Sequence, residues 1–572
     1  MYITLVPNRN SPPAVLLRES FRKNGKVKNR TLANLTSWPA DKVEALRRVL
    51  KGVKLVPVDA VFDVVRSLPH GHVAAVKGVL RRLGVHTLLG VRRSRHRDIV
   101  EAMLVARIID PRSKLATCRG FDPSTAFSSL GDELGVGEVG VHELYDALDW
   151  LLTRQPAIEK KLAAAHLESD GLALYDLSAT YFEGRTCPLA KLGYPRGSKK
   201  GKLQVNFGLL CDREGRPVAI QVYGGNVADP STVGDQVAKV RDEFGLNTVV
   251  FVGDRGMLTS ARIREDLEPN GMGWITSLRA PQVRRLAMCG AFQMSLFDHR
   301  DLAEITHSSF PGERLIVCKN PLLAAERKRK RNAMLDDTER KLEKIRTATQ
   351  RRSRALRGKE KIGVRVGRIL ERTKMGKHFR LTIEQDSFTY ERDAESVERE
   401  AKLDGVYIIR TNVSSEKLDA EAVVSAYKDL QQVERAFRSY KSVDLHVRPI
   451  HHRAENRVRA HIFLCMLAYY LEWHMRRDLA PMLFDDDDKS GAASKRASIV
   501  APAHRSDSAL EKAATKNTSD GLPVHSFQTL LADLATITKN RVASQTAGLE
   551  FDRITRPTPL QARALELLEV SL

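Results

Sequence analysis

Three acidic residues stand in contexts that an average surface carboxylate lacks. Asp176 follows Leu172-Ala173-Leu174-Tyr175, and Asp254 follows Val249-Val250-Phe251-Val252-Gly253. Glu434 lies in a stretch from Ala426 to Lys441 that contains neither Pro nor Gly, so a helix is expected there. Two carboxylates on apolar strands and a third on a basic helix form the donor set of a two-metal site that cuts phosphodiesters. Oxygen-only ligation selects Mg²⁺ or Mn²⁺ over zinc. Two such ions per site can stabilise both the attacking and the leaving oxygen of an in-line displacement. The bland alternatives are a strand-edge carboxylate for Asp176, a helix cap for Asp254 and an exposed Glu434–Arg438 pair one helical turn apart.

Tyr427, Glu434 and Lys441 are seven residues apart, which puts them nearly on one helical face, with Arg438 one turn beyond Glu434. A phenol and two cations around a carboxylate suit phosphate oxygens. Val433, Ala436, Phe437 and Tyr440 are left to pack on a sheet. Downstream, His446, His451, His452 and His461 cluster among Arg448, Arg453, Arg457 and Arg459. Their spacing fits no structural zinc site and no cysteine accompanies them. Scaffold or phosphate contacts are the expectation, with Arg448 a candidate for DNA.

The elements that must position these residues follow from the pattern. Residues 1–57 read as a β element, because Asn24-Gly25 between two alternating runs is a type I′ hairpin signal. Residues 58–167 read as helical, with Ile99, Met103, Ala106 and Ile109 at helical spacing and Pro111 as the stop. From 168 the period becomes extended. Strands are expected at Leu172–Phe182, Leu203–Cys211, Val218–Tyr223, Thr248–Val252 and Trp274–Leu278, with helices after the third and fourth. This β-β-β-α-β-α-β order is that of an α/β, RNase H-like domain, first part 168–279. The strand pattern resumes at Gly405–Arg410, giving a second part at 401–475.

Residues 280–400 read as an inserted module. It carries a charged helix from Glu326 to Arg357, whose narrow stripe of Leu335, Leu342, Ile345 and Leu356 suits a two-helix hairpin. A strand hairpin at Phe379–Ile383 and Phe388–Tyr390 follows. The stretch 476–572 reads as a tail, partly disordered from Asp485-Asp486-Asp487-Asp488 to about 522, where the acidic run is taken as solvated. A last helix is expected from Phe527 to Lys539.

Composition narrows the class. The 572 residues carry 93 Lys and Arg against 70 Asp and Glu, a net charge of +23, which favours a polyanionic partner. Six scattered cysteines without a CxxC pair point to a reducing cytoplasm. The longest apolar run, Ile462–Leu471, is too short to span a bilayer and reads as a core helix, so no membrane association is expected.

Taken together these residues resemble the DDE transposases of bacterial insertion sequences, in the group with a Y-R-E-K signature. The likeness covers most of residues 1–475. It runs through Ala106-Arg107-Ile108-Ile109-Asp110-Pro111-Arg112-Ser113-Lys114-Leu115, the Asp176 strand, Gly253-Asp254-Arg255-Gly256, Asp404-Gly405-Val406-Tyr407-Ile408-Ile409-Arg410-Thr411-Asn412 and Tyr427…Glu434…Lys441. Arg448-Pro449-Ile450 and Arg459-Ala460-His461-Ile462-Phe463 complete it. The resemblance implies Asp176, Asp254 and Glu434 as the metal-binding triad, and Tyr427 and Lys441 as backbone contacts on transposon-end DNA. The signature arginine is Leu430 here, which leaves that contact absent or supplied by Lys428 or Arg438. It further implies cut-and-paste chemistry through a DNA hairpin, with residues 1–165 reading terminal inverted repeats. The partners implied are double-stranded end and target DNA, joined by a homodimer in a synaptic complex at the nucleoid. Two other readings stay open: a DNA-binding protein without catalysis, and a nuclease that cuts without joining.

Overall fold

Asn24 and Gly25 take φ of 54° and 70° and join the antiparallel strands Ala14–Lys23 and Lys26–Asn34, the hairpin their sequence predicts. Tyr2–Val6 adds a third strand. The computed structural model describes residues 1–9, 11–53, 62–184, 186–194, 201–292, 301–496, 498–501, 503–544 and 549–572. The expected boundary at 57/58 lies outside them. The chain divides into two compact units, 1–68 with 538–556, and 69–537 with 557–572.

The first unit holds that hairpin sheet and a second one, in which Asp63–Pro69 joins the hairpin Thr538–Ser544 and Leu549–Ile554. Two expectations are corrected here. Residues 63–69 are a strand and not the start of the helical region, in keeping with the extended preference of Val64-Val65. The helix expected from Phe527 to Lys539 ends at Leu534, and the chain then enters a sheet.

In the second unit, helices Gly71–Arg82, Arg95–Ile109, Lys114–Phe121, Val141–Leu152 and Gln155–His166 form the helical region. Ser94 caps the second by accepting from Arg97 N, and Asp110-Pro111 ends it. The eight-stranded sheet comprises β1 (Leu172–Tyr181), β2 (Gln204–Cys211), β3 (Pro217–Gly224), β4 (Val250–Val252), β5 (Gly273–Ser277), β6 (Leu302–Ile305), β7 (Arg314–Lys319) and β8 (Val406–Thr411). Its order is β6-β7-β8-β5-β4-β1-β2-β3. Strands β1 to β3 are antiparallel neighbours, while β4 runs parallel to both β1 and β5. That core is the RNase H-like arrangement expected from the element order. The helix Glu455–Asp478 is buried along most of its length, as the apolar run requires, and Arg459 donates to the Val222 carbonyl of β3 at 2.7 Å.

The insertion begins later than expected. β6 and β7 extend the central sheet itself, with β7 pairing antiparallel with β8 up to Lys319↔Val406. What is inserted is the segment between them: helices Pro321–Thr349 and Lys359–Thr373, the hairpin Phe379–Ile383/Phe388–Arg392 and the helix Ala394–Ala401. The two long helices close over their own core of Leu335, Leu342, Ile345, Ile362, Val366, Phe379 and Phe388.

The tail is also corrected. Residues 480–544 contain helices Lys489–Ser494, Asp507–Thr515 and Phe527–Leu534, and a helix Pro559–Leu567 follows. The acidic run is held by partners, although Asp487 and Asp488 stay exposed. Asp485 pairs with Arg435 at 2.7 Å, Asp486 accepts from Ser506 N at 2.9 Å, and Asp488 caps the helix it precedes. Its counter-charges lie elsewhere in the chain, where composition cannot show them.

Candidate active site

Alternation along β1 decides which way Asp176 faces. Tyr175 is buried, and its hydroxyl donates to Thr232 Oγ1 at 3.0 Å. Its ring crosses Gly208 of β2 so closely that a Cβ there would meet the phenol oxygen at 2.2 Å. Asp176 therefore takes the other face. There its cross-strand partner is Leu209, and the neighbouring pair on that face is Ser178 and Phe207. Phe207 meets Phe437 and Tyr440, with ring centroids at 5.6 and 5.7 Å. Hence Asp176 shares its face with the helix Leu430–Arg438 that carries Glu434.

Register fixes Asp254. Leu174 of β1 pairs with Val252 of the parallel β4. Asp176 follows two residues later within β1, and Asp254 two residues later lies just past the end of β4. The chain turns sharply after Val252. A Cβ on Gly253 would approach Leu258 Cγ to 2.9 Å, and Asp254 Oδ1 accepts from Gly256 N and Met257 N at 2.9 and 2.8 Å. Asp254 thus caps a turn and not a helix, since the next helix is capped by Thr259, and its side chain remains exposed. Asp176 is half-buried and accepts from Leu177 N at 2.8 Å through Oδ1.

Glu434 is exposed on its helix, while Val433, Ala436, Phe437 and Tyr440 are buried beneath it as the pattern requires. The helix is not continuous with the one before it. Ala420–Lys428 ends at Asp429, Leu430–Arg438 follows, and Ser439–Val443 widens into a π-turn. The seven-residue spacing of Tyr427, Glu434 and Lys441 therefore does not run along one regular helix. Tyr427 is half-buried and its hydroxyl donates to Ser277 Oγ at the end of β5 at 2.9 Å. Burial raises its pKa, and the charges of Asp254 and Glu434 push the same way.

The remaining expected contacts are dispersed. Arg438 is exposed, and Leu430 is half-buried at the signature arginine position. Lys441 lies with its ammonium 5.9 Å from the Phe437 ring. Arg448 stacks its guanidinium on Tyr181 at 4.9 Å, at the far end of β1. Lys428 is engaged elsewhere, since its ammonium donates to the carbonyls of Ile499, Val500 and Ala501 at 2.5, 2.8 and 2.8 Å. Burial lowers its pKa to about 8. Sequence reasoning missed this tie, because nothing in 499–501 distinguishes those carbonyls. It also missed Ser277 as the partner of Tyr427.

Among the described residues no three His, Cys, Asp or Glu side chains are grouped as a ready metal cage. The donor chemistry of Asp176, Asp254 and Glu434 nonetheless suits a hard divalent ion: all are carboxylates and two are exposed.

An RNase H-like sheet with one aspartate on a central strand and a second just past the end of its parallel neighbour defines a class of polynucleotide-cutting proteins. Comparison with known proteins agrees. Residues 182–471, just over half of the chain, match the family model described as Transposase DDE domain, and residues 3–56 match the N-terminal domain of IS1634 family transposases. The chain belongs to the DDE transposases of insertion sequences, enzymes that cut and join DNA by metal-dependent phosphoryl transfer. The first match begins after Asp176. Among solved structures, the chain is similar to the piggyBac transposase in its synaptic complex with hairpin DNA, at 10% identity over 71% of this chain and 72% of that one, with a TM-score of 0.32. No curated protein matches. No helix among the described residues is long and apolar enough to cross a membrane.

Proposed function

We propose that the chain is a cut-and-paste transposase whose active site is built from Asp176, Asp254 and Glu434. The observation that carries this reading is that Asp176 lies on β1 and Asp254 just past the end of the adjacent parallel strand β4, while the helix bearing Glu434 packs on the face of β1 and β2 that Asp176 shares. These three carboxylates would hold two Mg²⁺ ions, which when bound supply charge stabilisation to the attacking and leaving oxygens. The protein's own part is positional. The Asp254 turn, pinned by two backbone N–H groups, fixes one donor, and the packed face of the Glu434 helix fixes another. Tyr427, Arg438, Lys441 and Arg448 are assigned to the DNA backbone; Lys428 is left out, since its donors are already taken.

In this reading water cleaves one strand at each element end and frees a 3′-hydroxyl. That hydroxyl attacks the opposite strand, releasing the flank and closing a hairpin. A second water reopens the hairpin, and the 3′-hydroxyl then attacks a target phosphodiester, whose own 3′-oxygen leaves. Residues 1–165 read the terminal inverted repeats, and two copies of the chain pair the two ends on nucleoid DNA.

The test is excision from supercoiled DNA carrying the gene's own flanks, with Mg²⁺. Wild type should release a discrete fragment, and Glu434→Gln should lower the rate by about 10²–10³-fold or more while end binding is kept. Specific binding without cleavage by wild type would make the chain a DNA-binding protein. Cleavage without joining would make it a nuclease.

A further inference from the structure

A second chemical feature lies apart from the carboxylates, in a cavity of about 490 Å³ between the helical region and the segment that follows the Glu434 helix. Its walls include Arg107, Lys114, Arg448, Arg453, Arg457 and all four clustered histidines, and among the described residues no Asp or Glu lines it. Tyr181, on which Arg448 stacks, is five residues beyond Asp176 on β1, roughly 17 Å at the rise of an extended strand. The cavity is therefore separate from the candidate active site.

Two of its cations are buried. Arg107 is 6% exposed and Lys114 5%. Arg107 donates to the Arg112 carbonyl at 3.2 Å, but its Nε has no hydrogen-bond partner. Lys114 Nζ lies 3.5 Å from His461 Nδ1, at the limit of a hydrogen bond. His461 Nε2 is 3.0 Å from the Val447 carbonyl and so carries the ring proton, leaving Nδ1 as an acceptor. The rim cations have acids of their own: Asp110 lies 2.6 Å from Arg112, and Asp149 3.7 Å from Arg457. Among the described residues no carboxylate pairs with Arg107 or Lys114. Two neighbouring buried basic groups without an anion are costly, so burial and then Arg107 lower Lys114 to about 7, and an anionic ligand would restore its charge.

The backbone adds to the same field. Ser113 and Ala454, which both line the cavity, are the N-caps of the helices Lys114–Phe121 and Glu455–Asp478. Two helix N-termini thus direct positive dipole ends and N–H groups toward one space. Burial first, then Lys114 and Arg107, depresses His452 to about 3 and His461 well below its usual range. The interior therefore resists further positive charge.

We infer that this cavity is a phosphate-binding site, in which one phosphate group serves as the counter-ion of Arg107 and Lys114 and is held at the rim by Arg453 and Arg457. A phosphate supplies several strong acceptors to a cluster that offers only donors. The inference does not rest on the roles proposed for Asp176, Asp254 and Glu434. The phosphate comes either from the DNA backbone or from free phosphate.

Inorganic phosphate titrated calorimetrically into the full-length protein, at ionic strength held with chloride, tests it. One saturable site is expected, and loss of a charge-assisted contact should weaken it about tenfold in both Lys114→Met and Arg457→Ala. Without phosphate, Lys114→Met should melt no lower than wild type, because it removes a buried amine that has no anionic partner; Arg457, on the rim, checks the assignment independently of that buried position. Absence of saturable phosphate binding, or binding equal in wild type and both variants, would overturn the inference. A short single-stranded oligonucleotide then separates the sources. Displacement of phosphate by the oligonucleotide identifies the occupant as a DNA phosphate, and simultaneous binding identifies it as free phosphate.

Discussion

Lys428 shows how a residue's neighbours outweigh its type. A lysine beside a catalytic carboxylate reads as a phosphate contact, but this ammonium already serves three carbonyls of 499–501. Its work is to tie the helix Ala420–Lys428 to the C-terminal segment. Lys428→Met should therefore lower stability by about 1–3 kcal/mol, the cost of stranding buried acceptors. It should leave the salt dependence of DNA binding unchanged. A lost phosphate contact would instead flatten the slope of log K against log salt by about 0.9. Denaturant melts and binding at several salt concentrations check both halves, and a flattened slope with an unchanged melt would return Lys428 to the DNA. Asp254 makes the complementary point. Its Oδ1 caps a turn while the side chain stays exposed, so the structural and the chemical reading describe one residue.

At the scale of elements, β7 and β8 behave as a hairpin whose loop has grown into a module. Lys319 pairs with Val406, and the next residues, Asn320 and Gly405, are joined by a bond from Asn320 N to the Gly405 carbonyl at 3.0 Å. Gly405 already takes φ +78°, and its Cβ position would collide with the Asn320 carbonyl at 2.3 Å. Deleting 321–404 would leave Asn-Gly between paired strands, the sequence a two-residue type I′ turn prefers. The deletion variant should fold with one cooperative melt, because the removed helices carry their own core. Circular dichroism and thermal melting check this, and an unfolded product would show that the module supports the sheet. Strands β1 to β5 and β8 were legible because each is an apolar run, and that apolar context also made Asp176 and Asp254 legible. β6 and β7 were not, since they lie in a charged stretch and gain their meaning only by pairing with β8. The phosphate cavity was equally hidden, as Lys114 and His461 are 347 residues apart.

For the whole molecule, the C-terminal hundred residues are structural and not an appendage. Arg476 gathers the reason in one side chain: Nε meets Glu472 at 2.7 Å, Nη2 meets Asp444 at 2.9 Å, and Nη1 reaches Asp485 at 3.4 Å. The same guanidinium stacks on Phe527 at 4.6 Å. Phe527, Leu530, Leu531 and Leu534 are all at most 3% exposed. Burying four such side chains contributes about 6–12 kcal/mol, the same order as the whole stability of a typical domain, about 5–15 kcal/mol. Residues 538–556 then complete a sheet in the other unit, so one segment serves both. A chain ending at residue 478 should therefore be insoluble or melt without cooperativity. A disordered tail would predict the opposite, a truncated protein with an unchanged melting temperature and unchanged DNA binding. Limited proteolysis of the full chain gives the same discrimination without truncation. Resistance across 503–534 is expected, because there the run from Ser506 to Lys512 is held to Asp486, Asp487 and the Ala480 carbonyl. Rapid cutting there would mean that these contacts do not hold the segment in solution.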